Sequence, residues 1–310
     1  MQRSYAIIGT GALGGFYGAR LQRAGCELHF LLHSDYEHVR QHGLICESPD
    51  CDFTLPKVNA YADPRDMPKC DVVCVCLKTT QNHLLPKVLP PIVKDDGVVL
   101  VMQNGLGMEA QVAEIVGAQR VAGGLCFLCS NKVGPGHIRH LGYSLVALGE
   151  FATRGISERL RAIADDLQRA NVEIELAEDL DVARWQKLVW NIPYNGLSVV
   201  LNATTTELMT QPHTRQLVEG IMREVVADAQ ACGVAVTDEI IEKMLSNTEK
   251  MTPYRTSMKI DYDERRPLEV EAIFGNPLRA VQRAGAASPL LEQLYRQLKF
   301  LDARNVAVPH

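Results

Sequence analysis

Three groups of residues in this chain have types and spacings suited to chemistry. The first is Gly9-Thr10-Gly11-Ala12-Leu13-Gly14, directly after the apolar run Tyr5-Ala6-Ile7-Ile8. Gly9 permits a tight turn, Gly11 offers no side chain to block a pyrophosphate, and Gly14 lets a following helix pack close to the strand. A helix starting there presents free N–H groups and partial positive charge to phosphates. The second is Lys187, Asn191 and Asn195, at i, i+4 and i+8 on a segment with helical period. That spacing puts them on one face, within about 80° of arc. Their neighbours Leu188, Val189, Trp190, Ile192 and Leu197 are apolar. A polar row on an otherwise buried helix faces a partner, a wet cleft or a ligand; the alternative is a solvated stripe on an amphipathic helix. The third runs from Ser257 through Asp261 to Glu269 and Glu271. Pro267 suits a helix start, which places Glu269 in a first turn where the helix dipole favours a carboxylate. Both glutamates also fit a plain role as charges at a helix end.

These groups need elements to position them. The first half alternates strand-like and helix-like segments: strands at Tyr5–Ile8 and Glu27–His33, a helix over Ala12–Ala24, and buried strands at Asp71–Lys78 and Val98–Met102. A helix is expected over Gln81–Ile92, broken late by Pro90-Pro91, and another over Met108–Val116. Asp95-Asp96-Gly97 reads as a turn. Beyond a strand at Val121–Cys129, the segments His137–Leu141 and Leu145–Leu148 read as a hairpin around Gly142-Tyr143. From Asp179 the strand signals stop and helical periods take over, with Ser288-Pro289 reading as an N-cap and first helical position. The expectation is an α/β domain over residues 1–178, with a largely parallel sheet, and an all-helical domain over 179–310.

Composition narrows the function. Hydrophobic residues are 46% and charged residues 22%, values ordinary for a folded globular chain. The net charge of −5, with no local basic stripe, argues against a nucleic-acid partner. No apolar run approaches the length of a membrane span, and a strand beginning at Tyr5 leaves no room for a leader peptide. Nine cysteines, several inside apolar strands, fit a reducing cytoplasm. Cys126-x-x-Cys129 lacks the second pair or the histidines of a zinc site, so no metal is expected.

Taken together, the motifs resemble those of the ketopantoate reductase (2-dehydropantoate 2-reductase) family, and the likeness covers nearly the whole chain. It rests on Gly9–Gly14, Leu77-Lys78-Thr79-Thr80-Gln81 and Gln103-Asn104-Gly105-Leu106-Gly107. It continues with Lys187-Leu188 with Asn191 and Asn195, Ser257-Met258 with Asp261 and Glu269, and Ser288-Pro289 with Leu294-Tyr295. The lysine–asparagine–asparagine helix and the serine-to-glutamate spacing are the family-specific parts.

The resemblance implies a Rossmann-type N-terminal domain and NADPH-dependent reduction of a small 2-keto acid, ketopantoate first, in pantothenate biosynthesis. It makes Lys187 the general acid at the carbonyl oxygen and Glu269 the residue that holds Lys187 or a cofactor ribose. Asn104 would reach both nicotinamide and substrate, while Asn191, Asn195 and Ser257 would bind substrate. Gly9, Thr10, Gly11, Ala12, Leu13 and Gly14 would take the pyrophosphate, in a cleft between the domains. The helical domain leaves room for a homodimer.

The chain departs from the pattern at several positions. His33 stands where the family commonly has an arginine for the NADPH 2′-phosphate, with Lys78 a compensating contact. Asp35 reads either as an acceptor from a ribose hydroxyl, which favours NAD, or as a helix N-cap. Thr205 stands where many relatives have asparagine, and Gly196 where proline is usual. A dehydrogenase of another hydroxy acid and a nucleotide-sensing module without turnover are the competing readings.

Overall fold

The computed structural model describes residues 3–251 and 255–307. It divides into two compact units: the described residues up to Asn104 with Met108–Leu180, and Gly105–Gly107 with the described residues from Asp181 on.

In the first unit the order is β1 (Ser4–Ile8), α1 (Ala12–Arg23), β2 (Glu27–Leu31), α2 (Tyr36–His42), β3 (Leu44–Glu47), β4 (Phe53–Leu55), β5 (Asn59–Tyr61), β6 (Cys70–Val75), α3 (Leu85–Ile92), β7 (Val93–Val101), α4 (Met108–Val116), β8 (Val121–Gly134), β9 (His137–Glu150), α5 (Glu158–Arg169) and β10 (Ile174–Ala177). The sheet runs β4-β3-β9-β8-β7-β6-β1-β2-β5, with β10 also on β9. It is largely parallel, as expected; only β3–β4 and β8–β9 pair antiparallel. β1 is buried on both faces and lies between β2 and β6. The chain leaves β1 to one side and returns to the other, so the order reverses at the carboxyl ends of β1 and β6. Open α/β sheets bind ligands at such a point.

Several expectations need correction. β9 is one fourteen-residue strand, so the hairpin turns at Gly134-Pro135-Gly136 and not at Gly142-Tyr143. Gly142-Tyr143 is instead a bulge: the register slips between Phe127 and Cys129, and Tyr143 takes φ +58°. Asp95-Asp96-Gly97 is likewise an irregularity inside β7, where the pairing jumps from Cys70–Val93 to Val72–Val98. The Gln81–Ile92 segment is a 3₁₀ stretch over Thr79–Leu84 and then α3, which continues through Pro90 and Pro91 to Ile92. β6 stops at Val75, so Lys78 precedes the 3₁₀ stretch and lies outside the strand. The short elements α2 and β5 had no distinct periodic signal.

The second unit is helical: α6 (Leu180–Val200), α7 (Thr205–Thr210), α8 (Pro212–Ala231), α9 (Glu239–Glu249), α10 (Ser257–Asp263), α11 (Asn276–Arg283) and α12 (Pro289–Ala307). A π-helical turn over Glu271–Gly275 precedes α11. α6 is central, and its Trp185, Leu188, Val189, Ile192, Tyr194 and Leu197 belong to the core. α7 begins with a capping box, in which the Thr204 hydroxyl and the Glu207 carboxylate satisfy each other's backbone N–H groups.

Two helix starts differ from expectation. Pro267 does not open a helix; the helical turns begin at Val270, and Glu269 sits at their entrance with its C=O accepting from Ile273 N–H at 3.1 Å. Ser288 and Pro289 do take the N-cap and first helical positions of α12, with Ser288 C=O accepting from Glu292 N–H at 2.9 Å, but the Ser288 hydroxyl does not supply the side-chain cap. That hydroxyl lies 2.9 Å from Glu224 Oε1 and 2.6 Å from Asp228 Oδ2. The Glu224 carboxylate, from α8, takes the Leu290 and Leu291 N–H groups at 3.1 and 2.8 Å. A carboxylate on a neighbouring helix has displaced the local hydroxyl as cap, since it adds a full charge at the positive helix end.

Candidate active site

In the first unit, β1, β2, β6 and β7 run parallel. Their carboxyl ends therefore share one edge of the sheet, bringing together Gly9–Gly14, His33, Lys78 and Asn104. The glycines behave as their spacing implied. Gly9 has φ +91°, and a Cβ there would stand 2.4 Å from Leu77 N, so this turn rests directly on the chain leaving β6. A Cβ on Gly14 would stand 2.3 Å from Gly9 O and 2.8 Å from Ile7 Cγ2, which locks α1 against β1. A Cβ on Gly11 meets nothing within 4 Å, and no side chain caps α1. The open space thus lies in front of uncapped N–H groups at a helix start, which suits an anion such as a pyrophosphate. Thr10 Oγ1 donates to Leu31 C=O at 3.3 Å and ties the turn to β2. Gln103 Nε2 donates to Leu77 C=O at 2.8 Å and Asn82 Oδ1 at 2.6 Å, joining the segments that follow β6 and β7 just ahead of half-buried Asn104.

His33 is exposed beyond β2. Asp35 stands at the N-cap of α2, as one of its two readings had it, but without a side-chain cap bond. Its carboxylate is buried and engaged by Lys132 Nζ at 2.6 Å, Gly136 N–H at 3.0 Å and Ser34 Oγ at 3.1 Å. Burial alone would raise its pKa, but these donors outweigh burial and hold the carboxyl below the usual range, so it is ionised at neutral pH.

In the second unit, the polar row of α6 is buried: Lys187 is 7% exposed, Asn191 5% and Asn195 2%. The solvated-stripe alternative is therefore excluded for these three. Asn191 Nδ2 and Asn195 Oδ1 have no hydrogen-bond partner. Buried amide atoms normally find one, and leaving such an atom unmet costs about 1–3 kcal/mol. Two such atoms one turn apart mark a place built for something other than packing. Glu269 is also buried, at 6% exposure. Glu271 differs: it is a surface carboxylate held by Arg279 at 2.8 Å, Tyr295 Oη at 2.9 Å and Lys299 at 3.1 Å. Glu271 thus has the plain helix-end role.

Ser257 is half-buried and opens α10, an element too short to show a period. Its neighbour Thr256 caps that helix, accepting from Lys259 N–H at 3.2 Å, and pairs with the Ser198 hydroxyl at 2.9 Å. Ser198 in turn donates to Asn195 C=O at 3.1 Å. This buried hydroxyl pair pins the start of α10 to α6 beside Asn195. Sequence reasoning missed both residues, because nothing local relates positions 198 and 256. It also missed that Gly105–Gly107 belongs to the helical unit. Leu106 N–H donates to Ala272 C=O at 2.9 Å, and Asn276 Nδ2 donates to Leu106 C=O at 2.6 Å. Among the described residues no cluster of side chains is arranged to hold a metal ion, and no helix is long and apolar enough to cross a membrane.

The sheet topology and glycine turn define a Rossmann-type α/β unit joined in sequence to a helical unit. Residues 5–153 match the family model of ketopantoate reductase PanE/ApbA, and residues 179–302 match that of its C-terminal part. A 2-dehydropantoate 2-reductase of Nostoc sp. is 63% identical over 308 residues, covering 98% of this chain and 97% of that protein. The crystal structure of 2-dehydropantoate 2-reductase from Geobacter metallireducens GS-15 superposes with a TM-score of 0.93 at 43% identity, covering 96% of this chain and 99% of that one. The fold extends to D-mandelate dehydrogenase, solved with NADH and anilino(oxo)acetate, at a TM-score of 0.87 and 21% identity, covering 97% and 99% of the two chains. The chain belongs to the ketopantoate reductase family and is an oxidoreductase.

Proposed function

We propose that this chain reduces 2-dehydropantoate to pantoate with NADPH. The observation that carries the reading is the buried row on α6, with Lys187 in line with two amides whose Nδ2 and Oδ1 atoms lack partners. A substrate carboxylate or hydroxyl oxygen would accept from Asn191 Nδ2, and a substrate hydroxyl would donate to Asn195 Oδ1.

The chain's own residues divide the work. The first turn of α1 and the open space at Gly11 would receive the pyrophosphate, with Gly9, Thr10, Ala12, Leu13 and Gly14 shaping the loop. His33 and Lys78 stand at the same sheet edge for the adenosine side, and Asn104 would orient the nicotinamide and the substrate. When bound, the reduced nicotinamide supplies the hydride. Lys187 polarises the keto oxygen, stabilises the alkoxide charge as it develops and delivers a proton from Nζ. Glu269 holds the ammonium in position, or a ribose hydroxyl. Asn191, Asn195 and Ser257 orient the substrate through its carboxylate and hydroxyl groups. The engagement of Asp35 by Lys132 and Gly136 supports NADPH over NADH, because the acid that would read a free 2′-hydroxyl is already committed.

Steady-state oxidation of NADPH and NADH with ketopantoate and with a panel of other 2-keto acids tests the assignment. Ketopantoate with NADPH should give the highest kcat/KM, and Lys187→Ala should lower it by about 10²-fold or more. Wild-type-like turnover in that variant would remove Lys187 from the mechanism. A different preferred keto acid would reassign the substrate.

A further inference from the structure

Lys132 lies in β8 close to the hairpin tip, far in sequence from the turn after β2. Its ammonium is nonetheless 2.6 Å from Asp35 Oδ2, and the same carboxylate oxygen accepts the Gly136 N–H at 3.0 Å. Asp35 Oδ1 takes the Ser34 hydroxyl at 3.1 Å. The Asp35 side chain is 8% exposed, whereas that of Lys132 keeps 32%. A buried carboxylate thus clamps the β8–β9 tip onto the turn after β2 and holds there the ammonium of a part-exposed side chain. An ammonium has three donors and no acceptor capacity. Asp35 takes one, and Lys132 has no other protein acceptor among the described residues.

The turn after the second strand is where a Rossmann unit meets the adenosine ribose. An acid there reads a 2′-hydroxyl, and a cation nearby accommodates a 2′-phosphate. In this chain the acid is engaged and the free donors belong to Lys132. We propose that Lys132 selects 2′-phosphorylated nucleotides over their unphosphorylated counterparts, with Asp35 as its positioning residue. The cation missing from the end of β2, where His33 stands, is thus supplied from another strand. The inference rests on the reading above only in requiring that the chain bind a nicotinamide dinucleotide.

Calorimetric titration of the full chain with 2′,5′-ADP and with ADP tests this without turnover. Wild type should bind 2′,5′-ADP more tightly than ADP. Lys132→Ala should weaken 2′,5′-ADP about tenfold or more, the scale of a lost charge-assisted hydrogen bond, and leave ADP within about twofold. Lys132→Arg should keep the preference. Asp35→Asn still offers an acceptor to Gly136 but no longer neutralises the ammonium, and should tighten 2′,5′-ADP selectively. Equal effects of Lys132→Ala on both nucleotides, or none on either, overturn the proposal. A protein that keeps the Lys132-dependent preference but reduces no 2-keto acid would overturn the reductase reading alone. Turnover with NADPH and an unchanged preference in Lys132→Ala would overturn this one alone.

Discussion

Asn195 is 2% exposed, and its Oδ1 meets no donor although it sits in the core of the helical unit. A residue retained for packing would be better replaced by leucine, which has similar bulk and no unmet acceptor. Function and stability should therefore respond in opposite directions to Asn195→Leu. The variant should melt at the same temperature as wild type or higher, while kcat/KM for ketopantoate falls by about 10-fold or more, the scale of leaving a buried substrate hydroxyl without its acceptor. Loss of melting temperature with full activity per folded molecule would make Asn195 structural. The residue types of this row were legible in the sequence because i, i+4, i+8 spacing is local geometry. Its burial was not, since that depends on what the rest of the fold packs around α6. The roles of Asp35 and Lys132 were illegible for the same reason: 97 positions separate two groups that touch.

At the scale of elements, strands and helices with a sustained period were readable, and the errors cluster where tertiary contacts replaced a local rule. Tyr143 in a positive-φ bulge imitated a hairpin turn, and Glu224 took over the capping that Ser288 advertised. The second case has a pH consequence. Ser288 has one hydroxyl proton and faces two carboxylates, Glu224 and Asp228. Both are satisfied if Asp228 is protonated and donates to Ser288 while Ser288 donates to Glu224. Burial first, with the nearby Glu224 charge adding and the Ser288 bond opposing, pushes Asp228 up to about 6. The Cys232 thiol also lies close by, pushed up by burial and by the Asp228 charge.

The native state therefore holds this proton more tightly than the unfolded chain, whose Asp titrates near 3.8. The resulting destabilisation is absent below about pH 4, grows as pH rises towards 6 and is complete above it. Asp228→Asn mimics the protonated acid. Urea unfolding should find the variant more stable than wild type at pH 8, with the gap closing towards pH 4.5. A gap of the same size at both values would rule out a bound proton on Asp228.

The whole molecule is not two consecutive stretches of chain. The glycine turn, the parallel strands and the loss of strand signal near residue 179 made two units legible. Nothing in the composition marks Gly105–Gly107 as a piece of the helical unit inserted within the sequence of the other. Backbone geometry accounts for the insertion. Gly105 takes φ +104°, and a Cβ there would fall 2.5 Å from Ala272 O and 2.6 Å from its carbonyl carbon, so only glycine lets Leu106 reach its bond to Ala272. Gly117 provides the matched comparison: it has φ +90°, but a Cβ there meets nothing within 4 Å. With ψ 138° this is a positive-φ extended conformation that favours glycine, so Gly117→Ala should carry that backbone strain alone, about 1–3 kcal/mol. Gly105→Ala adds a backbone clash that no side-chain rotation can relieve, and it should be destabilised well beyond that in urea unfolding. It should also lose kcat/KM, because the displaced backbone is covalently next to Asn104, whereas Gly117→Ala should keep full activity. Equal stability losses in the two variants would mean that the segment tolerates displacement from Ala272, and Asn104 would then owe its position to β7 alone.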